Sequence, residues 1–133
     1  MNTRIQLKKS SDRGDKIVTL TRNGTDIGSV TFKVYTEFVH IKEMEISPEF
    51  QGDKYLTHLL RYLNHVIRKN DLFGYSYNFA LTEKPRSESA TTDWAEKMGW
   101  KEMDTSGSWL YFDPKGELSP KDVGRKTHYV FGW

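Results

Sequence analysis

Alternating apolar and polar positions in the first third of the chain predict antiparallel β-sheet. Residues 27 to 35 follow the two-residue period of a half-buried strand, and residues 16 to 22 have a strand-forming composition. The apolar positions of the later segment are Val30, Phe32 and Val34. Asn23 and Gly24 separate the two segments, and both residue types tolerate the positive φ of a tight turn. The pattern therefore predicts a β-hairpin.

The next strand, residues 38 to 47, changes its apolar phase midway. Val39 and Ile41 fall on one alternation, whereas Met44 and Ile46 fall on the other. A slip of one residue within a strand indicates a β-bulge, because the extra residue moves the following side chains to the opposite face. We therefore expect a bulge within this strand.

A helical period replaces the alternation over residues 54 to 70, and one face of this segment is apolar. The members of that face are Leu56, Leu59, Leu60, Leu63, Val66 and Ile67. Residues 73 to 81 return to a strand pattern. Residues 38 to 81 are therefore predicted to form a strand-helix-strand unit with parallel strands and a right-handed crossover.

The remaining segments complete the predicted order of elements. A short helix is expected over residues 89 to 98, a strand over 109 to 112, a long loop over 113 to 125 and a last strand over 126 to 131. This order predicts an α+β fold with a mixed, mostly antiparallel sheet, a central parallel strand-helix-strand unit and helices on the faces of the sheet. We expect residues 1–133 to form one domain.

Composition narrows the classes of function. None of the 133 residues is cysteine, which excludes disulfide scaffolds, thiolate metal sites and cysteine nucleophiles. The formal net charge of +2 is too small to indicate nucleic-acid binding by itself. No segment has the pattern of a membrane span or a signal peptide. We therefore expect a cytoplasmic protein with no membrane association, and the oligomeric state is left open.

Residues 41 to 60 combine an apolar strand, a proline-containing turn, a loop and an amphipathic helix. This arrangement resembles the acyl-CoA signature of the GNAT superfamily of N-acetyltransferases, in which the loop has the pattern Gln/Arg-x-x-Gly-x-Gly/Ala. A second block, residues 94 to 100 (WAEKMGW), is similar to the aromatic-Tyr-Glu-Lys-Leu-Gly-aromatic segment of that family. The resemblance covers residues 16 to 112 and implies a GNAT-like fold.

The resemblance implies acetyl-CoA as the cofactor. In the family, backbone N–H groups at the helix N-terminus hold the pyrophosphate, and the strand backbone, here around Met44 and Ile46, holds the pantetheine arm. The loop residues so implied are Gln51, Gly52, Asp53, Lys54, Tyr55 and Leu56. Gln51 matches the family pattern, whereas Lys54 and Leu56 stand at its two glycine positions.

The implied catalytic positions also differ from the family. Its frequent general acid, a tyrosine, corresponds to Ala95, and its frequent general base, a glutamate, corresponds to His40. Glu43 and Glu45 lie nearby and share one strand face. An imidazole or a carboxylate can accept the proton of an attacking amine. The competing structural interpretation makes His40 an ordinary sheet histidine and places both glutamates on a solvated face.

Basic residues recur along the predicted helix at steps of three and four. They are Lys54, His58, Arg61, His65 and Arg68. Arg61, His65 and Arg68 are candidate contacts for an acidic macromolecular partner. The alternative is the solvated face of an amphipathic helix. A metal site is not predicted, because His58 and His65 are two turns apart and lack a third ligand at a suitable spacing.

Two functions fit this pattern. One is a diverged acyl-CoA-dependent N-acetyltransferase that acts on an amine, which the strand-loop-helix order favours. The other is a catalytically inactive GNAT-like module, a pseudoenzyme, that binds a protein or a nucleic acid through the basic helix face. The two substituted glycine positions and Ala95 favour the second. The acceptor of the first could be a small-molecule amine, a protein lysine or an N-terminus.

Overall fold

A computed structural model describes the chain over residues 4–51, 55–81, 88–104 and 108–131. The strands are β1 Ile5–Asp12, β2 Asp15–Arg22, β3 Thr25–Val34, β4 Phe38–Ile46, β5 Phe73–Tyr77, β6 Lys101–Glu102 and β7 Trp109–Phe112. The helices are α1 Tyr55–Lys69, α2 Glu88–Lys97 and α3 Pro120–Phe131. The described strands form one sheet in the order β1-β2-β3-β4-β5-β7-β6. Among the strands described, β4 and β5 are the one parallel pair, so the predicted α+β class with a central parallel unit is confirmed.

The first three strands are joined by two tight hairpin turns. Asn23 and Gly24 join β2 to β3 with φ angles of 51° and 82°, so the predicted turn is confirmed. Arg13 and Gly14 join β1 to β2 in the same left-handed conformation, with φ angles of 52° and 86°. The apolar pattern does not predict β1, because most side chains of this edge strand are polar and exposed.

Lys42 interrupts the pairing of β4 with β3. The two strands pair up to Ile41 and again from Glu43, so Lys42 is the extra residue of a β-bulge, and the predicted bulge is confirmed. β4 pairs with β5 only from Phe38 to Ile41, the last pair being Ile41 with Ser76. Beyond this pair the parallel strands separate. We call the space between the second half of β4 and the end of β5 the β4–β5 opening.

The two faces of the sheet carry different helices. On one face, Leu59 and Leu63 of α1 and Ala95 of α2 belong to a core cluster with sheet residues such as Val30 and Met44. On the other face, α3 contributes one buried side chain to a second, largely aromatic cluster. That cluster contains Val123, Phe38, Phe73, Tyr75 and Tyr111. The sheet is therefore covered on both faces, as the predicted fold class requires.

The C-terminal region corrects two predictions. The loop predicted over residues 113 to 125 is wrong from residue 120 onwards, because a helix begins there. The strand predicted over 126 to 131 is wrong throughout, because α3 spans Pro120–Phe131. Among the α3 side chains that the structure describes, only Val123 and Thr127 are buried. A helix that buries so few side chains gives a weak periodic signal, which explains why the aromatic residues of this segment were consistent with a strand.

Ser119 and Asp122 fix the start of α3. The N–H and the hydroxyl of Ser119 each donate to Asp122 Oδ2 at 3.0 Å, and Ser119 Oγ accepts from the Asp122 N–H at 3.2 Å. This reciprocal cap satisfies backbone groups that a helix terminus otherwise leaves free. Pro120, at the first helical position, is a further start signal.

Candidate functional site

Peptide groups of β4 border the β4–β5 opening. The N–H of Ser47 donates to the carbonyl oxygen of Ile27 on β3 at 2.8 Å. Because the peptide groups of a strand alternate in direction, the N–H and C=O groups of Met44 and Ile46 point away from β3, towards the opening. Both side chains are buried. Met44 and Ile46 therefore offer hydrogen-bonding groups from the main chain, as the resemblance implies.

Gln51 lies at the end of β4 and turns its side chain back onto that strand. Its Nε2 donates to the carbonyl oxygen of Ile46 at 3.0 Å. The residue follows a single turn of 3-10 helix, Pro48–Phe50, and is exposed. The structure therefore brings two of the predicted cofactor residues into direct contact. A ligand that used the carbonyl of Ile46 would have to share it with Gln51 or displace the glutamine side chain.

The other loop residues fall on both sides of a gap. Gly52, Asp53 and Lys54 lie outside the described residues. Tyr55 and Leu56 form the first turn of α1, and both pack against the core. The Tyr55 hydroxyl also accepts a hydrogen bond from Arg22 at 3.1 Å. These two side chains therefore anchor the helix, and only their backbone groups are suited to a ligand.

Ser76 closes the end of the opening at which β4 and β5 part. Its hydroxyl donates to the carbonyl oxygen of Ile41 at 2.9 Å and accepts from the N–H of Phe79 at 3.0 Å. The serine is fully buried. It thus joins the last paired residue of β4 to the turn that follows β5. The sequence pattern does not indicate a role for Ser76, because a single serine in an apolar strand belongs to no motif.

A left-handed turn follows β5 at the edge of the opening. The strand predicted over residues 73 to 81 ends at Tyr77, and its last part is wrong, because Asn78, Phe79 and Ala80 have φ angles of 50°, 56° and 43°. Residues with a Cβ rarely adopt this conformation, and each costs about 1 to 3 kcal/mol unless the surroundings fix it. Strain of this kind is frequent at functional sites.

The side chain of Phe79 explains what holds the strained turn. It is fully buried and packs edge-on against Trp94 and Trp100, with ring centroids 5.6 and 5.0 Å away. Trp94 in turn donates from Nε1 to the Thr57 hydroxyl on α1 at 2.8 Å. Burial of aromatic surface therefore offsets the backbone strain next to the opening.

Ala95 occupies the α2 position at which the resemblance implies a tyrosine. It is fully buried in the core that α1 and α2 share. No hydroxyl or other titratable group is thus present on α2 at this position. α2 therefore has no general acid at the position that the resemblance implies, and the side chain at that position is buried in the core.

His40 lies on the face of the sheet that α3 covers, in the paired part of β4. It is partly buried opposite Tyr75 of β5, and the two ring centroids are 5.7 Å apart. Burial lowers the pKa of His40 below its ordinary value, the positive charge of Lys42 lowers it further, and Asp15 acts in the opposite direction. Lys42 and Asp15 are themselves paired at 2.9 Å. The imidazole is therefore neutral at pH 7 and able to accept a proton.

Glu43 and Glu45 are exposed and flank Met44, as their spacing predicts. Glu45 accepts a hydrogen bond from the Ser29 hydroxyl at 3.3 Å. Together with Ile46 and Gln51 it lines a shallow pocket of about 540 Å³ beside β3. The structure thus groups Glu45 with Ile46 and Gln51, two of the predicted cofactor residues, whereas His40 lies on the other side of the bulge along β4.

The basic side chains of α1 project from the solvent side of the helix. Arg61, His65 and Arg68 are exposed, and the Arg68 guanidinium lies 5.2 Å from the centroid of the Phe112 ring. None of the ion pairs that join described residues includes any of these three. The positive charges of Arg61 and Arg68 are therefore not neutralised by a neighbouring carboxylate within that part of the chain.

No helix within the described ranges is long and apolar enough to cross a membrane. In the same ranges, no three His, Asp or Glu side chains are grouped as they would be around a metal ion. His58 and His65 both lie on the exposed side of α1.

Comparison with known proteins defines the class of fold. No protein-family model and no curated protein sequence matches the chain. Many solved structures do. A GNAT family acetyltransferase from Elizabethkingia anophelis with acetyl-CoA bound has a TM-score of 0.66 and 11% identity, over 82% of this chain and 97% of that one.

Two further matches have named activities. The PaiA N-acetyltransferase from Thermoplasma acidophilum, in complex with coenzyme A, has a TM-score of 0.58 and 16% identity, over 75% of this chain and 61% of that one. The ribosomal-protein-S18-alanine N-acetyltransferase from Escherichia coli has the same TM-score and identity, over 76% and 67%. The chain therefore has the fold of the GNAT N-acetyltransferases, as the sequence resemblance implied.

Proposed function

We propose that this protein is an acyl-CoA-dependent N-acyltransferase whose cofactor lies in the β4–β5 opening. One observation carries the proposal: after the bulge at Lys42, β4 leaves β5 and directs the peptide groups of Met44 and Ile46 into the space between them. These groups suit the amides of a pantetheine arm, which need hydrogen-bond partners when they are buried. The GNAT fold, in which two of the compared structures hold coenzyme A or acetyl-CoA, supports the same assignment.

The loop after β4 is the part that would hold the cofactor phosphates. Backbone N–H groups at the start of α1 and the helix dipole favour an anion there. Gln51 keeps the family residue, and Lys54 adds a positive charge to a loop that lacks both family glycines. We expect the cofactor to bind less tightly than in a glycine-rich loop, because glycine is the residue that best allows the backbone to approach a ligand closely.

Three side chains near the bulge have distinct roles in this proposal. A bound acyl-CoA would supply a thioester with a carbonyl carbon open to attack by an amine. His40 accepts the proton that the amine releases, through a water molecule, because burial keeps its imidazole neutral. Glu43 and Glu45 attract a cationic amine to this part of the sheet through their negative charge.

A calorimetric titration with acetyl-CoA and with free CoA tests the proposal. We expect micromolar binding that weakens by up to about tenfold in Gln51→Ala. The variant loses one side-chain hydrogen bond, which contributes about 0.5 to 1.5 kcal/mol, and about 1.4 kcal/mol corresponds to a factor of ten in affinity. Gln6→Ala is the matched control, because Gln6 is exposed on the edge strand β1, far from the opening. Absence of binding up to millimolar cofactor would contradict the proposal.

Turnover provides the second part of the test. With a panel of amines, CoA release should be detectable for the native chain and should fall in His40→Gln without a matching change in cofactor affinity. A variant that lost both together would indicate a structural role for His40. Equal rates in the native chain and in His40→Gln would remove His40 from the proposal.

A second candidate function is supported by the unpaired positive charge on α1. In this case the chain binds an acidic macromolecule through Arg61, His65 and Arg68 and need not be an enzyme. The double variant Arg61→Glu/Arg68→Glu should then abolish binding to an acidic partner while leaving acetyl-CoA affinity unchanged. Retained binding of single-stranded RNA or of an acidic peptide by this variant would exclude the candidate.

A further inference from the structure

We infer that a groove between the sheet and the C-terminal half of α1 binds a small anionic amphiphile, that is, a molecule with an apolar body and one carboxylate or similar group. We call this the α1 groove. One wall is formed by β1, β2 and β3, and the other by residues 62 to 72. Its volume of about 720 Å³ is in the range of small-molecule sites.

The floor of the α1 groove is apolar. Val34, Val66 and Leu72 supply its accessible surface, and the buried side chains of Val18 and Phe32 complete the lining. Val34 is 39% exposed, at the end of β3. Exposed apolar surface gains free energy when a ligand removes it from water, at about 25 cal/mol per Å². The groove therefore favours a hydrocarbon or aromatic body.

The rim of the α1 groove is positively charged. Lys9 and Lys16 line it from the strands, and His65 and Lys69 line it from α1. The Lys9 ammonium lies 5.8 Å from the centroid of the Tyr62 ring, so it reaches across to the helix wall. The described residues that line the groove include neither aspartate nor glutamate.

The rim lysines are also without a carboxylate partner elsewhere. Within the described part of the chain, no ion pair includes Lys9, Lys16 or Lys69. An anionic group bound in the groove would therefore be surrounded by a lining with three lysines and, among the described residues, no carboxylate. Electrostatic complementarity of this kind raises both the selectivity for an anion and its rate of association.

The combination of floor and rim selects an amphiphile over a wholly charged ligand. A nucleic acid or an acidic peptide would contact the lysines, but it would place charged or polar groups against the apolar floor and lose their hydration. A ligand with one anionic group and an apolar body satisfies both surfaces. We therefore assign a carboxylate-bearing small molecule rather than a macromolecule.

The α1 groove is separate from the proposed acyl-CoA site. The latter adjoins the start of α1 at Tyr55, whereas the groove adjoins the last two turns, up to Lys69 and Asn70. Tyr55, the first residue of α1, and Tyr62, the first residue of α1 that lines the groove, are seven residues apart, which is about 10 Å along the helix axis. Ligand binding in the groove can therefore be tested without any assumption about acyl transfer.

Decanoate and decyltrimethylammonium are suitable probes, because they share a chain length and have opposite charge. Titrations followed by backbone amide chemical shifts should show saturable decanoate binding. The shifts should be confined to residues 9 to 18, 32 to 34 and 62 to 72. Decyltrimethylammonium should cause no saturable shifts there. Equal binding of the two probes, no saturable binding, or shifts centred elsewhere would overturn the assignment.

Two variants test the rim and the floor. Lys9→Gln/Lys69→Gln should weaken decanoate binding about tenfold or more, since two charge contacts are lost. The control, Lys101→Gln/Lys121→Gln, removes the same charge from exposed positions outside the groove and should change nothing. Val34→Asp places a carboxylate on the groove surface and should abolish binding. Equal weakening in both lysine pairs would show a general charge effect and overturn the proposal.

A hexaglutamate peptide tests the alternative ligand of the α1 groove, which is an acidic peptide. If the α1 groove takes an amphiphile, the peptide should bind more weakly than decanoate under the same salt conditions. Tighter binding of the peptide, with shifts at the same amides, would assign the groove to an acidic peptide and contradict our inference.

Discussion

Asn64 of α1 and Trp100, which follows α2, are joined by a buried hydrogen bond of 2.9 Å from Trp100 Nε1 to Asn64 Oδ1. The same asparagine donates from Nδ2 to the carbonyl oxygen of Met98 at 2.9 Å. Trp100 is 1% exposed and stacks on Phe112 of β7, with ring centroids 5.7 Å apart. One polar side chain thus connects α1, the end of α2 and the sheet.

Replacement of Asn64 should destabilise the fold strongly. Asn64→Ala leaves the buried Trp100 N–H and the partly buried Met98 carbonyl without their partners. A buried unsatisfied group costs about 1 to 3 kcal/mol, and a partly buried one costs less. We expect the free energy of unfolding to fall by about 2 to 4 kcal/mol in urea titrations. Asn70→Ala is the control, because that side chain makes one exposed bond to Val66 at 2.8 Å. Its loss should be below about 1 kcal/mol.

Gly74 and Gly124 should respond to alanine with opposite signs. A Cβ at Gly74 on β5 would lie 2.6 Å from Trp100 Cη2 and 2.8 Å from Ile67 Cδ1, both of them in the core. Gly74→Ala should therefore lower the free energy of unfolding by about 1 to 3 kcal/mol. Gly124 lies in α3 with no atom within 4 Å of an added Cβ. Gly124→Ala should raise it by about 0.5 to 1 kcal/mol. Equal signs in thermal or urea unfolding would contradict this packing.

Relief of the left-handed turn after β5 should stabilise the protein. Ala80 has a φ of 43°, a conformation that costs an L-residue about 1 to 2 kcal/mol. Ala80→Gly removes this strain, and the gain exceeds the entropy that glycine adds to the unfolded chain, about 0.4 to 1 kcal/mol. We expect a net gain of about 0.5 to 1 kcal/mol by urea unfolding. Ala95→Gly, inside α2, should instead lose about 1 kcal/mol, and a loss in both variants would contradict the turn.

His40 should make stability depend on pH below neutrality. Its pKa in the folded protein is lowered, chiefly by burial, from the ordinary value of 6.5. Below that value the unfolded chain binds a proton that folded His40 still excludes, so the unfolded state gains stability as the pH falls. The free energy of unfolding should therefore decrease from pH 7 towards pH 5. Urea titrations of His40→Gln should show a smaller slope over this range, and an unchanged slope would exclude His40 as the cause.

Local signals in the sequence were sufficient for several elements. Asn23 and Gly24 predict their turn because both residue types accept a positive φ whatever surrounds them. The helical period of residues 54 to 70 predicts α1, since one face of a helix must be apolar to pack on a sheet. The phase slip in β4 predicts the bulge at Lys42 for a similar reason: each side of a strand faces a different environment.

Elements with few buried residues were not predictable in this way. β1 is an exposed edge strand whose backbone pairs with β2. Because backbone hydrogen bonds do not require apolar side chains, the sequence pattern does not reveal this strand. α3 has two buried residues among its described side chains, Val123 and Thr127, and its start depends on the cap formed by Ser119 and Asp122. Such elements are stabilised by contacts with the rest of the sheet, and a local sequence pattern does not contain those contacts.

The sequence by itself determined the strand-helix-strand order from β4 to β5 and the bulge in β4, because these depend on periodicity and local conformation. It supplied the candidate site residues through the family resemblance. Only the tertiary structure decided how those residues are arranged. It turns the Gln51 side chain onto the carbonyl of Ile46, buries Ala95, and forces Phe79 into a left-handed turn between two tryptophans. These arrangements depend on contacts between segments far apart in the chain, and long-range packing overrides local preference wherever it buries enough surface.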